Sequence, residues 1–427
     1  MLKKLRLERF KNFQDAELTL GLLTLLVGTN ASGKSNIRDA FRFLHGISRG
    51  YSLAEIFGEK WIEGGVIQWR GIRGGIREAT FQGADTFTLE VSFLLRKPNS
   101  FQQATYRIEV APRINSQAPI VIAECLRIEG QKDSIFKAES IDEQGQRSLI
   151  VKVLSSLVSN RPIPFTNYKP IVAQLAELAT DVLVEGGRFI PATSIRGMAK
   201  ATLEAFSSMR FLDLSPDAMR LPSLPGQTIL GDRGENLSSV LQEICQNPEG
   251  KQALLQWVQE LTPMDAVDFE FPADFTGKIL LTLIEENGLK TSAISASDGT
   301  LRFLAMIGAL LGSDRARFYF FEELDNGIHP TRLHLLLQLI ERQVSAGTIQ
   351  IVATTQSPQL LRLLSPQSLE YASLTYRLEN KPDAQIKRIM DIPQVRQVIA
   401  EEDLARLHES GWLEDAVEFL EDEETIQ

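Results

Sequence analysis

Residues 28–35 read Gly-Thr-Asn-Ala-Ser-Gly-Lys-Ser, a glycine-rich stretch that follows a short apolar run at residues 23–27. After it, residues 36–44 have the spacing of apolar side chains that is typical of a helix. A strand, a glycine loop and a helix in this order form a phosphate-binding loop, in which backbone N–H groups point at an anion. The stretch therefore predicts an α/β fold that binds a nucleoside triphosphate.

The loop also predicts which residues contact the nucleotide. They are Gly28, Thr29, Asn30, Ala31, Ser32, Gly33, Lys34, Ser35 and Asn36. Among them, the Lys34 ammonium is expected to reach the β- and γ-phosphates, and the Ser35 hydroxyl is expected to be a ligand of Mg²⁺. The alternative is a chance glycine turn before a helix, which would not require a match at every fixed position of the pattern.

The length and the charge of the chain limit what it can be. A chain of 427 residues is too long for one ordinary core, so two or three subdomains are expected. Its net charge of −10 argues against unspecific coating of nucleic acid. Either a local basic patch or the outward face of a strand pair is expected for Lys3, Lys4, Arg6, Arg9 and Lys11.

The cysteine content and the hydropathy indicate a cytoplasmic protein. Cys125 and Cys245 lie far apart and lack metal-ligand spacing, so reduced thiols are expected. The apolar stretch at residues 18–27 runs directly into the phosphate loop and does not have the form of a signal peptide. No stretch approaches the length of a membrane span, and no membrane partner is expected.

Apolar periodicity predicts an antiparallel β-region followed by helices. Residues 2–9 and 14–20 have the pattern of a hairpin, and strand-like alternation returns at residues 87–95, 105–110 and 120–128. This β-subdomain is expected to end near residue 140. Helical spacing is then expected in residues 149–157, 171–183 and 199–206. Because the nucleotide motifs resume only later, the fold is predicted to be split.

A second set of polar residues follows buried strands in the last third of the chain. Residues 318–321 are all aromatic and lead into Glu322 and Glu323. Beside a phosphate loop, the first acid is expected to hold Mg²⁺ and the second to polarise the attacking water. An acidic turn after an ordinary strand is the alternative. The buried strand predicted at residues 348–355 is followed by Gln356, which is expected to face the γ-phosphate.

A serine- and glycine-containing segment precedes the acid pair. Residues 295–300 read Ser-Ala-Ser-Asp-Gly-Thr and lead into an apolar helix predicted at residues 301–311. Such a helix start binds anions, and because the chain already has a phosphate loop, this one is expected to serve the γ-phosphate of another protomer. A simple helix cap at Ser297 or Asp298 is the alternative.

The order of these motifs resembles the ABC-type ATPases of the RecF, SMC and OLD group, and most of all its stand-alone bacterial ATP-binding proteins described as AAA-family or RecF-like. The resemblance covers most of the chain and is carried by residues 7–13, 28–35, 211–216, 230–237, 297–300, 322–323 and 326–330. It implies a split P-loop ATPase head with an antiparallel β-subdomain and a helical insertion. It also implies ATP as the substrate and Mg²⁺ as the cofactor.

On this resemblance the chain divides into four segments. Residues 1–140 form the N-terminal half of the head, with the phosphate loop and the β-subdomain, and residues 141–264 form a helical insertion or lid. Residues 265–392 form the C-terminal half, which carries the acid pair and Gln356. Residues 393–427 form an acidic helical tail.

The resemblance implies a homodimer in which two protomers sandwich two ATP molecules. Each protomer offers the other a signature segment (residues 297–300) made of Ser297, Asp298, Gly299 and Thr300. ATP binding closes the dimer, and hydrolysis reopens it. Glu323, Lys34 and Gln356 are the catalytic residues that the resemblance implies.

Several positions are assigned by resemblance alone or depart from it. Gln68 is the candidate for the glutamine that senses Mg²⁺ and water, next to Ser35 and Glu322 as metal ligands. Glu322 replaces the usual aspartate, and Gln356 replaces the usual histidine. Because a glutamine amide cannot take up a proton or a charge as histidine can, slow hydrolysis is expected. His329 occupies the place of an aspartate that contacts the other protomer.

Three functions remain open. The first is an ATP-driven switch in DNA transactions, either anti-phage defence or DNA repair, with possible DNA contact. Its effector, such as a nuclease, would come from another chain, because the segment after Gln356 is short for a separate catalytic domain. The second, less favoured, is the ATPase subunit of a transporter, which would carry a Leu-Ser-Gly-Gly-Gln signature. The third is an ATP-bound scaffold that does not hydrolyse ATP.

Overall fold

The computed structural model describes the chain from Met1 to Val417 apart from several gaps. The residues outside the description are 63–65, 97–99, 113–117, 144–145, 159–164, 186, 262–264, 358, 379–380, 393–394, 397, 399–411, 413–415 and 418–427. The predicted acidic helical tail, residues 393–427, lies mostly outside the described residues and stays a prediction. Within the described part, none of the helices combines the length and the apolarity that crossing a bilayer requires.

The strands and helices follow one another along the chain in a mixed α/β pattern. The strands are β1 (Leu2–Phe10), β2 (Phe13–Thr19), β3 (Leu23–Val27), β4 (Lys60–Ile62), β5 (Val66–Trp69), β6 (Phe87–Arg96), β7 (Phe101–Ala111), β8 (Ile120–Ile128), β9 (Phe136–Glu143), β10 (Gln146–Val153), β11 (Ser156–Leu157), β12 (Val182–Val184), β13 (Arg188–Ile190), β14 (Met209–Leu212), β15 (Ala266–Glu270), β16 (Thr282–Glu285), β17 (Lys290–Ser292), β18 (Phe318–Phe321), β19 (Gln350–Thr355), β20 (Ala372–Tyr376) and β21 (Gln385–Arg388). The helices are α1 (Lys34–Ser48), α2 (Leu53–Phe57), α3 (Ile171–Ala176), α4 (Ala192–Ser207), α5 (Pro216–Met219), α6 (Leu237–Gln246), α7 (Pro248–Leu261), α8 (Asp298–Leu311), α9 (Pro330–Ser345), α10 (Gln359–Leu363) and α11 (Pro366–Leu369).

The central layer is a six-stranded sheet with the strand order β14-β18-β19-β3-β20-β21. Its first five strands are parallel, and β21 runs antiparallel to β20. Because β3 comes from the start of the chain and its neighbours from the second half, the predicted split α/β fold is confirmed. The chain returns to this sheet with β14, at Met209. The predicted boundary at residue 265 is therefore too late, since part of the expected insertion, residues 141–264, belongs to the central sheet.

The second layer is an eight-stranded antiparallel sheet with the order β11-β10-β9-β8-β7-β6-β1-β2. The predicted hairpin is formed by β1 and β2, which pair from Lys4 with Thr19 to Phe10 with Phe13. The expected end of this subdomain at residue 140 falls inside β9, and β10 and β11 continue the sheet. The β-subdomain is thus longer than predicted.

The helix predicted for residues 149–157 is wrong. These residues contribute to β10 and β11, where Val151 and Val153 are buried on either side of the exposed Lys152. So short an apolar stretch fits both a period of two and helical spacing, and only pairing with β9 selects the strand.

The helix predicted for residues 171–183 is half correct. Only its first part is helical, as α3, and β12 begins at Val182. Val182 and Val184 are buried β-branched residues that pair with β13, and this pairing outweighs the helical spacing. The helices predicted at residues 199–206 and 301–311 lie within α4 and α8.

Helix α1 lies between the two sheets. Phe41 packs on Phe318 of the central sheet, with ring centroids 4.8 Å apart, and Phe43 packs on Phe87 of the antiparallel sheet at 5.6 Å. All four rings are buried, and full burial of each such side chain contributes roughly 1.5–3 kcal/mol. The helix that follows the phosphate loop is therefore fixed on both of its faces.

Candidate active site

The phosphate loop connects β3 to α1 and has no room for side chains at its glycines. Gly33 precedes α1 with a φ of 111°, in the left-handed region that favours glycine, and a Cβ atom there would lie 2.6 Å from the Phe13 ring. At Gly28 a Cβ atom would lie 2.1 Å from the backbone oxygen of Thr375 on β20. Both neighbours come from distant parts of the chain, so the loop is shaped by the tertiary fold.

The Lys34 side chain is folded back onto its own loop. Its ammonium donates to the backbone oxygens of Gly28, at 2.5 Å, and Thr29, at 2.7 Å. Burial lowers the pKa of Lys34, and the carboxylates of Glu323 and Glu322 offset part of this shift. A buried cation whose direct partners are neutral oxygens is suited to an anionic ligand.

A cavity of about 330 Å³ opens beside this loop. Its lining residues are Asn30, Ala31, Ser32, Gly33, Lys34, Ser35, Asn36, Arg73, Asp213, Glu322, Glu323, Thr354 and Gln356. The structure thus places most of the predicted loop residues, the acid pair and Gln356 around one space. Its volume lies within the usual range for ligand sites, about 300–1,000 Å³.

Glu322 follows the end of β18 and pairs with an arginine. Nη1 of Arg38, on α1, donates to Glu322 Oε2 at 2.7 Å. The other carboxylate oxygen, Oε1, is buried and has no hydrogen-bond partner among the described residues. A buried acceptor of this kind fits a ligand that supplies the missing contact.

Glu323 is held at its backbone and at both carboxylate oxygens. Its φ is 48°, and its backbone N–H donates to Thr354 Oγ1 at 2.9 Å. The Gln356 amide donates to Oε1 at 2.9 Å, and the Asn326 amide donates to Oε2 at 2.8 Å. A non-glycine residue with positive φ is uncommon, and here it fixes a carboxylate at the edge of the cavity.

The chemistry of the donor set fits Mg²⁺. This ion prefers oxygen ligands and is usually bound by one or two protein groups together with phosphate oxygens. Ser35 and Glu322, two of the residues to which the prediction assigned the metal, both line the cavity. Gln68, the third predicted ligand, lies exposed on β5 and is not among the residues that line the cavity.

The signature segment lies at the start of α8, outside the cavity lining of its own chain. Ser297 Oγ accepts the backbone N–H of Thr300 at 3.2 Å, so the predicted alternative of a helix cap is realised. Gly299 packs against the loop after the acid pair, where a Cβ atom would lie 2.0 Å from the Gly327 oxygen. Ser297 and Asp298 are exposed. Capping leaves them accessible to a ligand held by another molecule.

Sequence reasoning missed Arg73 and Asp213. Arg73 follows β5, and its guanidinium donates to Asp39 Oδ2 at 3.1 Å and to Asn36 Oδ1 at 3.2 Å. Asp213 follows β14 at the other side of the cavity. Neither residue belongs to a local sequence motif that would predict its place in the cavity lining. The segment containing Asp213 belongs to the resemblance, which assigns Asp213 no role of its own.

Four of the five N-terminal basic residues are paired with acids. Lys4 pairs with Glu17, Arg6 with Asp15, Arg9 with Glu109 and Lys11 with the buried Asp39. The alternative of charges on the outward face of a strand pair therefore fits three of these residues, and Lys11 points into the core.

Comparisons with known proteins agree with this site. A family model described as "AAA domain, putative AbiEii toxin, Type IV TA system" matches residues 23–94 and 201–362, which together exceed half of the chain. The chain belongs to this AAA-domain family. The predicted membership in the AAA-family ATPases is confirmed.

This AAA-domain protein has a similar relative in Helicobacter pylori, named an ATP/GTP phosphatase. The two are 20% identical over 372 residues, which cover 85% of this chain and 87% of the relative.

Among solved structures, it is similar to an SMC head bound to the C-winged helix domain of ScpA, with a TM-score of 0.48, 13% identity and coverage of 90% of this chain and 97% of that one. It is also similar to the SMC head domain from Thermotoga maritima, with a TM-score of 0.40, 12% identity and coverage of 91% and 98%.

Proposed function

We propose that this AAA-domain protein binds and slowly hydrolyses ATP, and that ATP joins two copies of the chain into a dimer that acts as a switch. The observation that carries the proposal is the cavity in which Lys34, Glu322, Glu323 and Gln356 meet beside the phosphate loop. These residues follow three separate strands of the central sheet, β3, β18 and β19, so their convergence supports a common role.

Glu323 is the proposed general base. It accepts a proton from water while the water oxygen bonds to the γ-phosphorus, the bond from that phosphorus to the bridging oxygen breaks, and ADP leaves. Lys34 neutralises charge on the β- and γ-phosphates. Ser35 and Glu322 would hold Mg²⁺, which when bound supplies further charge neutralisation for the phosphates.

Slow turnover follows from how the acids are engaged. Both oxygens of Glu323 accept hydrogen bonds from amides, so each has one lone pair fewer with which to accept a proton from water. Glu322 is paired with Arg38, and Gln356 cannot carry a proton as the usual histidine would. These contacts also support the second candidate, an ATP-bound scaffold that does not turn over.

The dimer is proposed because the chain carries two anion-binding segments that do not meet. The phosphate loop lines the cavity, whereas the signature segment lies outside that lining with Ser297 and Asp298 exposed. An exposed helix start with a serine and a glycine is suited to the γ-phosphate of a nucleotide bound to a second copy. Differential affinity of the closed dimer for ATP would make it a switch.

The process served by the switch is proposed to be a DNA transaction, either anti-phage defence or repair, with an effector such as a nuclease supplied in trans. The family description, which names a toxin of a toxin–antitoxin system, is consistent with a defence role. Since most N-terminal basic residues are paired with acids, contact with DNA would need another surface or the effector.

A steady-state ATPase assay of the wild type and of Lys34→Ala tests the catalytic proposal. The substitution removes a charge-assisted contact to the phosphates, so activity at low ATP should fall at least about tenfold. Arg49→Ala, which removes a cation from the far end of α1, is the matched control and should leave activity unchanged. Equal rates for wild type and Lys34→Ala would favour the scaffold.

A further inference from the structure

The acid at the end of β18 is one methylene longer than an aspartate, and an arginine takes up the additional reach. Arg38 lies on α1 one turn after Ser35, so the two side chains share a face of the helix. Its Nη1 donates to Glu322 Oε2 at 2.7 Å, and the two side chains are only 10% and 14% exposed. A pair this buried is weakly screened by solvent and well fixed in space.

The guanidinium of Arg38 is enclosed by further carboxylates. Its Nη2 lies 3.8 Å from Asp39 Oδ1, and its Nη1 lies 4.0 Å from Asp213 Oδ2. Asp39 is in turn fixed by the ammonium of Lys11 at 2.8 Å. These longer ion pairs add the attraction of two more carboxylates to the hydrogen bond that Arg38 makes with Glu322.

One oxygen of Glu322 is left over by this arrangement. Oε2 is occupied by Arg38, whereas Oε1 is buried and lacks a partner within the described part of the chain. Glu322 lines the cavity together with Ser35, the other oxygen donor assigned to the metal. The residue that carries the free acceptor thus lines the cavity that the nucleotide is proposed to occupy.

We propose that Arg38 is a positioning residue for the metal of the ATP site. Arg38 holds Oε2 of Glu322 and leaves Oε1 for a divalent cation bound with ATP, directly or through a water molecule. Arg38 and Glu322 together would then present one carboxylate oxygen to the metal, as the shorter aspartate would do alone. This inference rests on the proposed function, because it requires a metal–nucleotide complex beside Ser35. Removal of a group that orients a metal ligand typically weakens metal binding roughly 10–100-fold. We expect an effect of this order when Arg38 is replaced.

Simple charge repulsion would change metal binding in the opposite direction, so the two effects can be told apart. A cation so close to the site repels a metal ion, so its removal would strengthen metal binding if orientation did not matter. The probe is Mn²⁺ binding to the protein–ATP complex, followed by electron paramagnetic resonance. Arg38→Gln should weaken Mn²⁺ binding about tenfold, and Arg38→Lys, which keeps one charged donor, should weaken it less.

Arg42→Gln is the matched control. Arg42 lies four residues later on α1 and also forms a part-buried ion pair, with Asp232, but it does not line the cavity. Arg42→Gln should lower the melting temperature about as much as Arg38→Gln does, because each loses an ion pair, but it should leave Mn²⁺ affinity unchanged. Binding of ATP in EDTA verifies that each variant keeps a folded phosphate loop.

If Arg38→Gln does not fold, a second pair of variants decides. Glu322→Asp alone should weaken Mn²⁺ binding, because the shorter side chain cannot hold both Arg38 and the metal, and Arg38→Met with Glu322→Asp should restore it. Unchanged or stronger Mn²⁺ binding in Arg38→Gln or in Glu322→Asp overturns the positioning role alone. Failure of the wild type to bind Mn²⁺ with ATP overturns the proposed function as well.

Discussion

At the scale of single residues, the contacts of Glu323 decide how the site is set before a nucleotide arrives. Its carboxylate is oriented by two amides, and one of them, from Gln356, also lines the cavity. A γ-phosphate that accepts a hydrogen bond from Gln356 would draw this amide away and free Oε1 of Glu323. The same glutamine would then report the presence of ATP and release the base.

Substitution of Gln356 tests this link. Gln356→Ala removes the amide that is proposed to donate to the γ-phosphate, a contact that strengthens as charge develops in the transition state, so kcat should fall about tenfold, while KM for ATP changes little because Lys34 and the loop remain. Ser357→Ala, at the next residue, is the control and should keep the wild-type rate. A kcat for Gln356→Ala equal to or above that of the wild type would show that Gln356 only restrains Glu323 and does not contact the γ-phosphate during hydrolysis.

At the scale of secondary-structure elements, one arginine ties the signature segment to the helical region. Arg220, which follows α5, donates from Nη2 to the Ala296 oxygen at 3.0 Å and to Asp298 Oδ1 at 2.7 Å. Its Nε donates to the Ile294 oxygen at 3.3 Å. The turn that starts α8 is therefore held from outside, although its residues are exposed.

Arg220→Ala should disturb the signature segment without touching the phosphate loop. We expect ATP-dependent dimerisation to weaken about tenfold, since a charge-assisted contact that orients the turn is lost, while ATP binding by the monomer stays at the wild-type level. The dimer dissociation constant of Arg220→Lys should lie between those of the wild type and Arg220→Ala. The measurement is the dimer dissociation constant by sedimentation in a Glu323→Gln background. A constant unaffected by Arg220→Ala would separate this arginine from dimer formation.

A buried acid links the antiparallel sheet to α3. Glu124 on β8 accepts the backbone N–H groups of Ile171 at 2.6 Å and Val172 at 2.8 Å, and the Tyr106 hydroxyl at 3.0 Å. Burial raises the pKa of Glu124 from 4.5 to about 7, against the lowering effect of these hydrogen bonds. The folded protein therefore keeps a proton on this carboxyl at pH values where the unfolded chain has lost it.

The resulting pH dependence has a definite sign. Between pH 4.5 and 7 the folded state binds more protons than the unfolded state, so this contribution to stability, up to about 3 kcal/mol, declines as the pH rises. Burial lowers the pKa of His45 to about 4, so its contribution to stability changes with pH in the opposite direction. Because His45 is present in both the wild type and Glu124→Gln, its contribution cancels when the two are compared. The difference in melting temperature between wild type and Glu124→Gln should therefore shrink from pH 4.5 to 7. A constant difference would contradict the raised pKa.

At the scale of the whole molecule, the features that the sequence could predict are those contained in a short stretch of the chain. The phosphate loop, the acid pair and Gln356 each follow their own strand, and a parallel sheet brings such strand ends to one edge. Arg38 and Asp213 could not be found this way, because their roles depend on how α1 and β14 pack beside β18. The boundaries at residues 140 and 265 failed for a related reason, since strand pairing over long distances decides them.

The separation of the phosphate loop from the signature segment leads to the central claim, an ATP-bound dimer of this chain. The measurement that tests it most directly is sedimentation of Glu323→Gln, in which ATP should persist unhydrolysed, with and without Mg²⁺ and ATP. We expect a monomer without nucleotide, a dimer with ATP, and no ATP-induced dimer when Lys34→Ala is added. Glu323→Gln that remains monomeric at saturating ATP would contradict it.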